Sequence, residues 1–390
     1  MRNIIFLGLI SFFMDISSEM VYPIIPLYLT TAFGATPAIV GIIEGIAEST
    51  SSLLKVFSGY VTDRYKQKKP IAFVGYATGL FYKLALLFAS SWAGILTARV
   101  VDRLGKGIRT APRDVMVSES ADKRALGKSF GIHKALDMAG SAIGILISFI
   151  LLKSLGNGQA NYKMIFTVSI IPTILALIMF AFVNEKKEQR SPQNRERFWN
   201  NLSALDGRLK LYLLVVFLFT LGNSSNSFLL LRAKSAGFDD TNVILLYFLY
   251  NLTVSILSVP FGKLSDKVGR KRVLATGYLL FSGVYLGFAF ATRVESFVII
   301  FLVYGIFTAM TAGVERALIA EISPAELKGT MLGLHSTIAG IALLPASVIC
   351  GFLWDGFGSS VPFVFGAVMS ALAAILLIAF FRTSEKQICE

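Results

Sequence analysis

The stretch Gly262-Lys263-Leu264-Ser265-Asp266-Lys267-Val268-Gly269-Arg270-Lys271 interrupts two long apolar runs, and it has an earlier copy. That copy, Gly59-Tyr60-Val61-Thr62-Asp63-Arg64, stands 203 residues before it. Two further pairs recur at an interval of 202: Gly131-Ile132-His133 with Gly333-Leu334-His335, and Arg113-Asp114-Val115-Met116-Val117-Ser118-Glu119 with Glu315-Arg316-Ala317-Leu318-Ile319-Ala320-Glu321. The chain holds 2 histidines, and they form one of these pairs. Self-similarity at a fixed interval marks a duplicated unit. Parallel repeats of this kind place a binding site between the halves, near the middle of a bilayer.

Composition sets the medium. Of 390 residues, 55% are hydrophobic and 16% charged, outside the range of soluble domains. Division into twelve leaves roughly 32 residues each, enough for one bilayer-crossing helix and a short loop. Apolar runs lie near 3–31, 37–62, 70–89, 92–117, 126–152, 162–183, 211–233, 242–264, 273–291, 295–320, 329–354 and 360–381. The expected fold is therefore an all-α membrane protein with twelve transmembrane helices in two pseudo-symmetric six-helix bundles. Residues 1–184 form the first bundle, 185–209 a cytoplasmic linker and 210–390 the second bundle. The first run lacks a small-residue cleavage site and is too long for a signal-peptide core, so it is expected to remain as a span.

The formal charge of +13 reports topology rather than nucleic acid. Arg64, Lys66, Lys68 and Lys69, then Lys123, Arg124 and Lys128, then the linker, then Lys267, Arg270, Lys271 and Arg272 fall on one side when loops alternate. Basic loops stay cytoplasmic, which places both termini in the cytoplasm and the protein in the cytoplasmic membrane. Cys350 lies in an apolar run and Cys389 in the tail, so no disulfide framework or cysteine metal site is implied.

The Gly262–Lys271 loop resembles the signature G-x-L-[SA]-D-[RK]-x-G-[RK]-[RK] of the major facilitator superfamily. Gly59, Asp63 and Arg64 match it between spans two and three, where Lys66 replaces the second glycine. In span four, Arg99-Val100-Val101-Asp102-Arg103-Leu104-Gly105-Lys106-Gly107 is similar to the R-x-x-x-G-x-G pattern of proton-driven facilitator exporters, with Arg103 at the first glycine. Arg99 matches that family's coupling-associated arginine. The run 102–114, DRLGKGIRTAPRD, resembles a bacterial subgroup of facilitator permeases. The resemblance implies secondary transport by alternating access, with Asp63, Arg64, Gly262, Asp266 and Arg270 gating the cytoplasmic side.

An ionisable side chain at bilayer depth costs about 2.5–3.5 kcal/mol on insertion scales, so such groups must face one another or a wet cavity. At about 100° per residue, Asp15 and Glu19 share a face of span one, and Gly41, Glu44, Glu48, Ser51, Lys55 and Gly59 form a stripe on span two. Arg99, Asp102, Arg103, Lys106, Arg109, Arg113 and Asp114 fall within about 140° on span four. Span five adds His133 and Asp137, with Gly140 and Gly144 allowing close approach. Helical rise puts Asp15, Glu48, Arg99 and Arg103 nearest mid-membrane, with Glu19 and Glu44 further outside.

A carboxyl in a low-dielectric cavity beside arginine changes protonation as the cavity opens to one side or the other. Asp15, Glu19 and Glu48 are accordingly the expected proton-coupling groups. Arg99, Arg103, Asn223, Asn226 and Glu315 are the expected substrate-binding groups. Arg109, Arg113, Asp114, His133 and His335 join the gate.

Gly105-Lys106-Gly107 lacks the glycine spacing and following Ser or Thr of a phosphate loop, and no ATP motif stands elsewhere. The expected partners are a small solute, a proton or other ion gradient and the lipid bilayer, with no cofactor, no metal and no nucleic acid, in a monomer. Export of a small organic or drug-like compound by proton antiport leads. An organic anion or a metal chelate is the alternative substrate, and an intramembrane enzyme, receptor or channel the alternative class. An enzyme would need a nucleophile–base pair or metal cluster that the chain does not display.

Overall fold

In hydrocarbon every backbone N–H and C=O must find a partner within its own segment, which leaves helix as the form for an unpaired span. The computed structural model describes residues 2–65, 68–120, 126–156, 158–185, 207–322 and 328–386. Its helices resolve the twelve spans. The first half comprises α1 (Arg2–Val21) and α2 (Ile24–Phe33) as span one, then α3 (Pro37–Tyr65), α4 (Lys68–Phe88), α5 (Trp92–Ser120) and α6 (Leu126–Leu155), then α7 (Gln159–Val168) with α8 (Ile170–Met179) as span six. The second comprises α9 (Gly207–Gly222) with α10 (Ser227–Ser235), α11 (Asp240–Val268), α12 (Arg270–Phe290), α13 (Val294–Thr311) with α14 (Val314–Ile322), α15 (Lys328–Phe357) and α16 (Val361–Lys386).

Among the described residues, ten helical stretches are long and apolar enough to cross a membrane. Spans two and four, α3 and α5, are absent from that set because their inward faces carry the charges. The twelve-span fold thus contains two helices whose polarity is tolerable only inside the bundle.

Spans one and seven break in the middle, at Tyr22-Pro23 and at Asn223–Asn226. Pro23 has no N–H to continue the ladder, and Ser148 Oγ donates to Met20 O at 2.6 Å beside the break. The two breaks are related by the duplication interval, and interrupted helices at corresponding positions of two repeats point to a site between them.

Within the first half α1 packs on α6 and α8, and α5 on α3 and α4; within the second, α12 packs on α16 and α13, and α11 on α13. A Cβ on Gly140 would stand 3.0 Å from Phe12 Cα, and one on Gly144 3.0 Å from Ile16 Cα, so span five reaches span one through its glycines as expected. Gly105 and Gly107 do the same for α5: a Cβ on Gly105 would stand 2.7 Å from Gly75 O, and one on Gly107 3.3 Å from Ser51 O. Those glycines serve helix packing.

The halves meet along α3 and α15. A Cβ on Gly351 would lie 2.7 Å from Ala38 Cα, and one on Gly45 would lie 3.0 Å from Leu344 O. Ser49 Oγ donates to Gly340 O at 2.8 Å, and Asp355 Oδ2 accepts from Ala38 N at 3.2 Å. Additional contacts join α6 to α11 and α2 to α10, and Asp240 binds both Lys234 Nζ, at 2.8 Å, and the Tyr162 hydroxyl. The contacts of Ala38 with Gly351 and Asp355, of α2 with α10, and of Asp240 with Lys234 and Tyr162 lie at the end of the bundle opposite the chain termini, hereafter the distal end, and join the halves there. By contrast, α6 meets α11 near mid-helix, at Met138 and Ser255.

Candidate functional site

The charged faces form a ladder. Along α5 the side chains Arg99, Arg103, Lys106, Arg109 and Arg113 descend from the distal half toward the termini. Facing them are Tyr22 at the break in span one, Glu19, Asp15 and Ser11 of α1, and Glu44 and Glu48 of α3, because spacings of three and four residues stack side chains on one face of a helix.

On the uppermost rung Arg99 Nη2 donates to both carboxylate oxygens of Glu44, at 2.8 and 2.7 Å. The two side chains are only 2% and 1% exposed. The guanidinium also lies 5.3 Å from the centre of the Tyr22 ring. Ser225 Oγ, from the break in span seven, donates to Glu44 Oε2 at 3.3 Å. One carboxylate therefore connects spans two, four and seven. Charge-assisted bonds in a water-poor setting are stronger than neutral ones, so this rung fixes the distal roof of the site.

On the next rung Arg103 Nη2 lies 2.7 Å from Glu48 Oε1. Asp102 sits between the two arginines, 4.0 Å from Arg99 Nη1 and 3.8 Å from Arg103 Nη1. Behind it is Lys83 of α4, wholly buried, with its ammonium 4.5 Å from the Tyr82 ring centre and no hydrogen-bond partner. Lys83 and Asp102 interact electrostatically.

Below these rungs a cavity of about 140 Å³ opens, lined by Asp15, Ser18, Glu19, Tyr22, Glu48, Tyr82, Arg99, Asp102, Arg103, Lys106, Arg109, Asn226 and Tyr247. Neither Asp15 nor Glu19 forms an ion pair among the described residues, and Glu19 Oε2 has no hydrogen-bond partner. Asp137 of α6 interacts electrostatically with Asp15 from the side. Nearer the termini, Ser11 Oγ meets His133 Nε2 at 3.0 Å, the Tyr76 hydroxyl at 3.2 Å and Arg113 Nη1 at 3.4 Å. Arg113 also holds Asp114 at 2.9 Å, while Arg109 stacks on Tyr76 at 4.7 Å.

The structure thus brings Asp15, Glu19, Glu48, Arg99, Arg103 and Asn226 to one cavity. It does not bring Asn223 or Glu315 there. Glu315 sits in a separate cluster, where its Oε1 accepts from the Tyr278 hydroxyl at 3.1 Å and its Oε2 stands 4.0 Å from His335 Nε2. Sequence reasoning left Glu44 out of the expected site, although a carboxylate on the polar stripe of span two was visible. It missed Lys83 as well, and a lone lysine inside an apolar run was the available signal. Of the tyrosines in the lining, Tyr22 shares the helix face of Asp15 and Glu19 by its spacing, while Tyr82 and Tyr247 had no such signal.

The expected gating residues divide by half. Arg109, Arg113, Asp114 and His133 share the network just described. In the other half Arg270 Nη2 meets Asp266 Oδ1 at 3.2 Å, and its Nη1 donates to Ala317 O at 3.2 Å. Gly262 lies in α11, one turn before Asp266. Gly269 has φ of +96°, the left-handed region that favours glycine, and it separates α11 from α12. The side chains of Asp63 and Arg64 lie outside the described residues, as does Lys66.

This arrangement has known counterparts. The family profile of the Major Facilitator Superfamily matches residues 7–231 and 211–388. The chain belongs to the Major Facilitator Superfamily. An uncharacterised facilitator-type transporter of Methanocaldococcus jannaschii is 38% identical over 384 residues, 97% of this chain and 94% of that one. The class H tetracycline resistance protein of Pasteurella multocida is 30% identical over 136 residues, 35% of this chain and 34% of that one. Among solved structures the nucleoside transporter NupG superposes with a TM-score of 0.80 at 11% identity, covering 98% of this chain and 99% of that one. At that identity the likeness concerns the facilitator fold alone. The protein is a multi-pass membrane transporter of this superfamily.

Proposed function

We propose that the protein moves a small polar solute out across the cytoplasmic membrane by alternating access, in exchange for protons. Residues 1–184 and 210–390 are the bodies that rock about the cavity, joined by 185–209. The observation that carries this reading is the pair of carboxyls, Asp15 and Glu19, that reach the cavity without an ion pair while their neighbours Glu44 and Glu48 are held by arginine. A carboxyl outside an ion pair is the group free to take up and release a proton when its surroundings change, and the Asp137 carboxyl beside Asp15 is a hydrogen-bond partner with which such a proton is shared. Glu48 takes the secondary place, because Arg103 must release it first. The tetracycline resistance relative supports the export direction.

Proteoliposomes with a trapped pH indicator test the proposal. Asp15→Asn is expected to abolish solute-driven proton movement while counterflow of the solute continues, since exchange needs no net proton transfer. Undiminished proton movement in Asp15→Asn and Glu19→Gln alike removes the assignment.

A further inference from the structure

Two ion pairs leave a remainder. Arg99 and Arg103 are each held by a glutamate of α3, and Asp102 sits between them. Once these are matched, the cavity keeps two acids on the α1 wall, Asp15 and Glu19, and two bases on the α5 wall, Lys106 and Arg109. None of the four forms an ion pair among the described residues. Arg109 is only 6% exposed, yet its Nη1 has no hydrogen-bond partner, and neither has Glu19 Oε2. Lys106 and Arg109 interact electrostatically with Asp15, and Lys106 with Glu19. Acids and bases therefore face each other across the space without touching.

Arg109 is buried and Asp15 and Glu19 half-buried, while Lys106 is exposed, and charges withdrawn from water and held apart in this way are expensive unless something bridges them. A solute with one sign of charge satisfies one wall and meets its own sign on the other. A solute with an ammonium at one end and a carboxylate at the other satisfies both, and like-charge mismatches exclude the rest. Tyr22, Tyr82 and Tyr247 also line the cavity and supply amphipathic surface for the methylenes between the two charges. A void of about 150 Å³ holds a benzene-sized molecule, so about 140 Å³ suits a small compound.

We propose that the cavity takes a small amphoteric solute, its ammonium against Asp15 and Glu19 and its carboxylate against Lys106 and Arg109. This inference rests on the transport reading and names its substrate class. It also supplies the exchange: ammonium and proton compete for the same carboxyls, so arrival of one expels the other.

The test uses purified full-length protein in detergent and follows its thermal unfolding at fixed pH. The probes are glycine, 4-aminobutyrate and 6-aminohexanoate, each beside its N-acetyl form, which is only an anion, and its methyl ester, which is only a cation. At least one amphoteric member is expected to stabilise the protein with a half-saturating concentration tenfold or more below both of its blocked forms. Glu19→Gln and Lys106→Gln should each raise that concentration about tenfold. The comparison among probes uses the unaltered protein and stands even where a variant folds poorly. Equal stabilisation by a blocked form overturns the proposal, and so does the absence of any shift across the series. Proton-linked flux of a purely cationic or anionic solute would sink this substrate class alone. Amphoteric binding without counterflow in proteoliposomes would sink the transport reading alone.

Discussion

Replacing Glu44 with glutamine should be among the most costly single changes in the protein. The Arg99 guanidinium is 2% exposed and takes both oxygens of Glu44 at 2.7 and 2.8 Å, while Asp102 at 4.0 Å is a distant second partner. Removing one member of a buried pair leaves an uncompensated charge, at about 3–5 kcal/mol. Glutamine keeps one acceptor oxygen, whose two lone pairs Arg99 and Ser225 can share, which places the cost at the lower end, about 3 kcal/mol, or about a hundredfold in the folded-to-unfolded ratio. Equilibrium unfolding in mixed detergent and sodium dodecyl sulfate micelles measures it. Glu44→Gln/Arg99→Met, which removes both charges, should recover at least about 1 kcal/mol relative to the sum of the single changes. A loss within about 0.5 kcal/mol for Glu44→Gln, or strict additivity in the double variant, would refute the view that this rung is a tightly coupled buried pair.

Other consequences concern the contact between halves. A Cβ on Gly45 would stand 3.3 Å from Leu344 Cα, so Gly45→Cys with Leu344→Cys should form a disulfide under mild oxidant; failure to cross-link in membranes means the distal end is not closed there. Gly351→Leu puts a branched side chain where Ala38 Cα leaves 2.7 Å for a Cβ. It should favour the distally open state, read as increased labelling of cysteines placed in the cavity from the distal side, and unchanged labelling speaks against α3–α15 contact as the closure. Gly269→Ala, at φ of +96°, should lower stability by about 1–2 kcal/mol; a neutral result would show that the α11–α12 turn relaxes freely.

Much of this architecture was legible because a bilayer imposes simple rules. Spans, duplication and inward-facing charge follow from length, interval and helical periodicity, and Asp15, Glu19, Glu48, Arg99, Arg103 and Asn226 do reach one cavity. Partner choice was less well read. The expected depths put Glu44 further outside than Arg99, yet Glu44 stands as far into α3, from Pro37, as Arg99 does into α5, from Trp92, so the two lie at one level and meet. Register between helices depends on contacts such as Gly107 against Ser51, which no single-helix period encodes. Glu315 illustrates the opposite error. It lies on the polar face of span ten, as expected, but Tyr278 and His335 claim it below the cavity.

The duplication explains why the site is lopsided. At an interval of 202 residues Tyr76 corresponds to Tyr278, Arg113 to Glu315 and His133 to His335, and in each half these groups cluster near the termini. Further up, the correspondence keeps position and changes chemistry. Glu44, Glu48, Arg99 and Asp102 correspond to Leu246, Tyr250, Phe301 and Tyr304, which join an aromatic core where Tyr250 meets Tyr304 at 5.0 Å and Phe288 meets Phe301 at 5.3 Å. The aromatic half carries few charges at this level, whereas the first half adds matched ion pairs to its apolar packing. Under the proposed proton coupling, rearrangement on protonation belongs to the first half, with the second half as the wall against which it moves. Asn226, held within the second half by the Tyr304 hydroxyl at 2.9 Å, lines the cavity, and there Tyr247 of the second half meets Tyr22 of the first at 5.9 Å. That ring contact can slide without leaving a charge exposed to lipid.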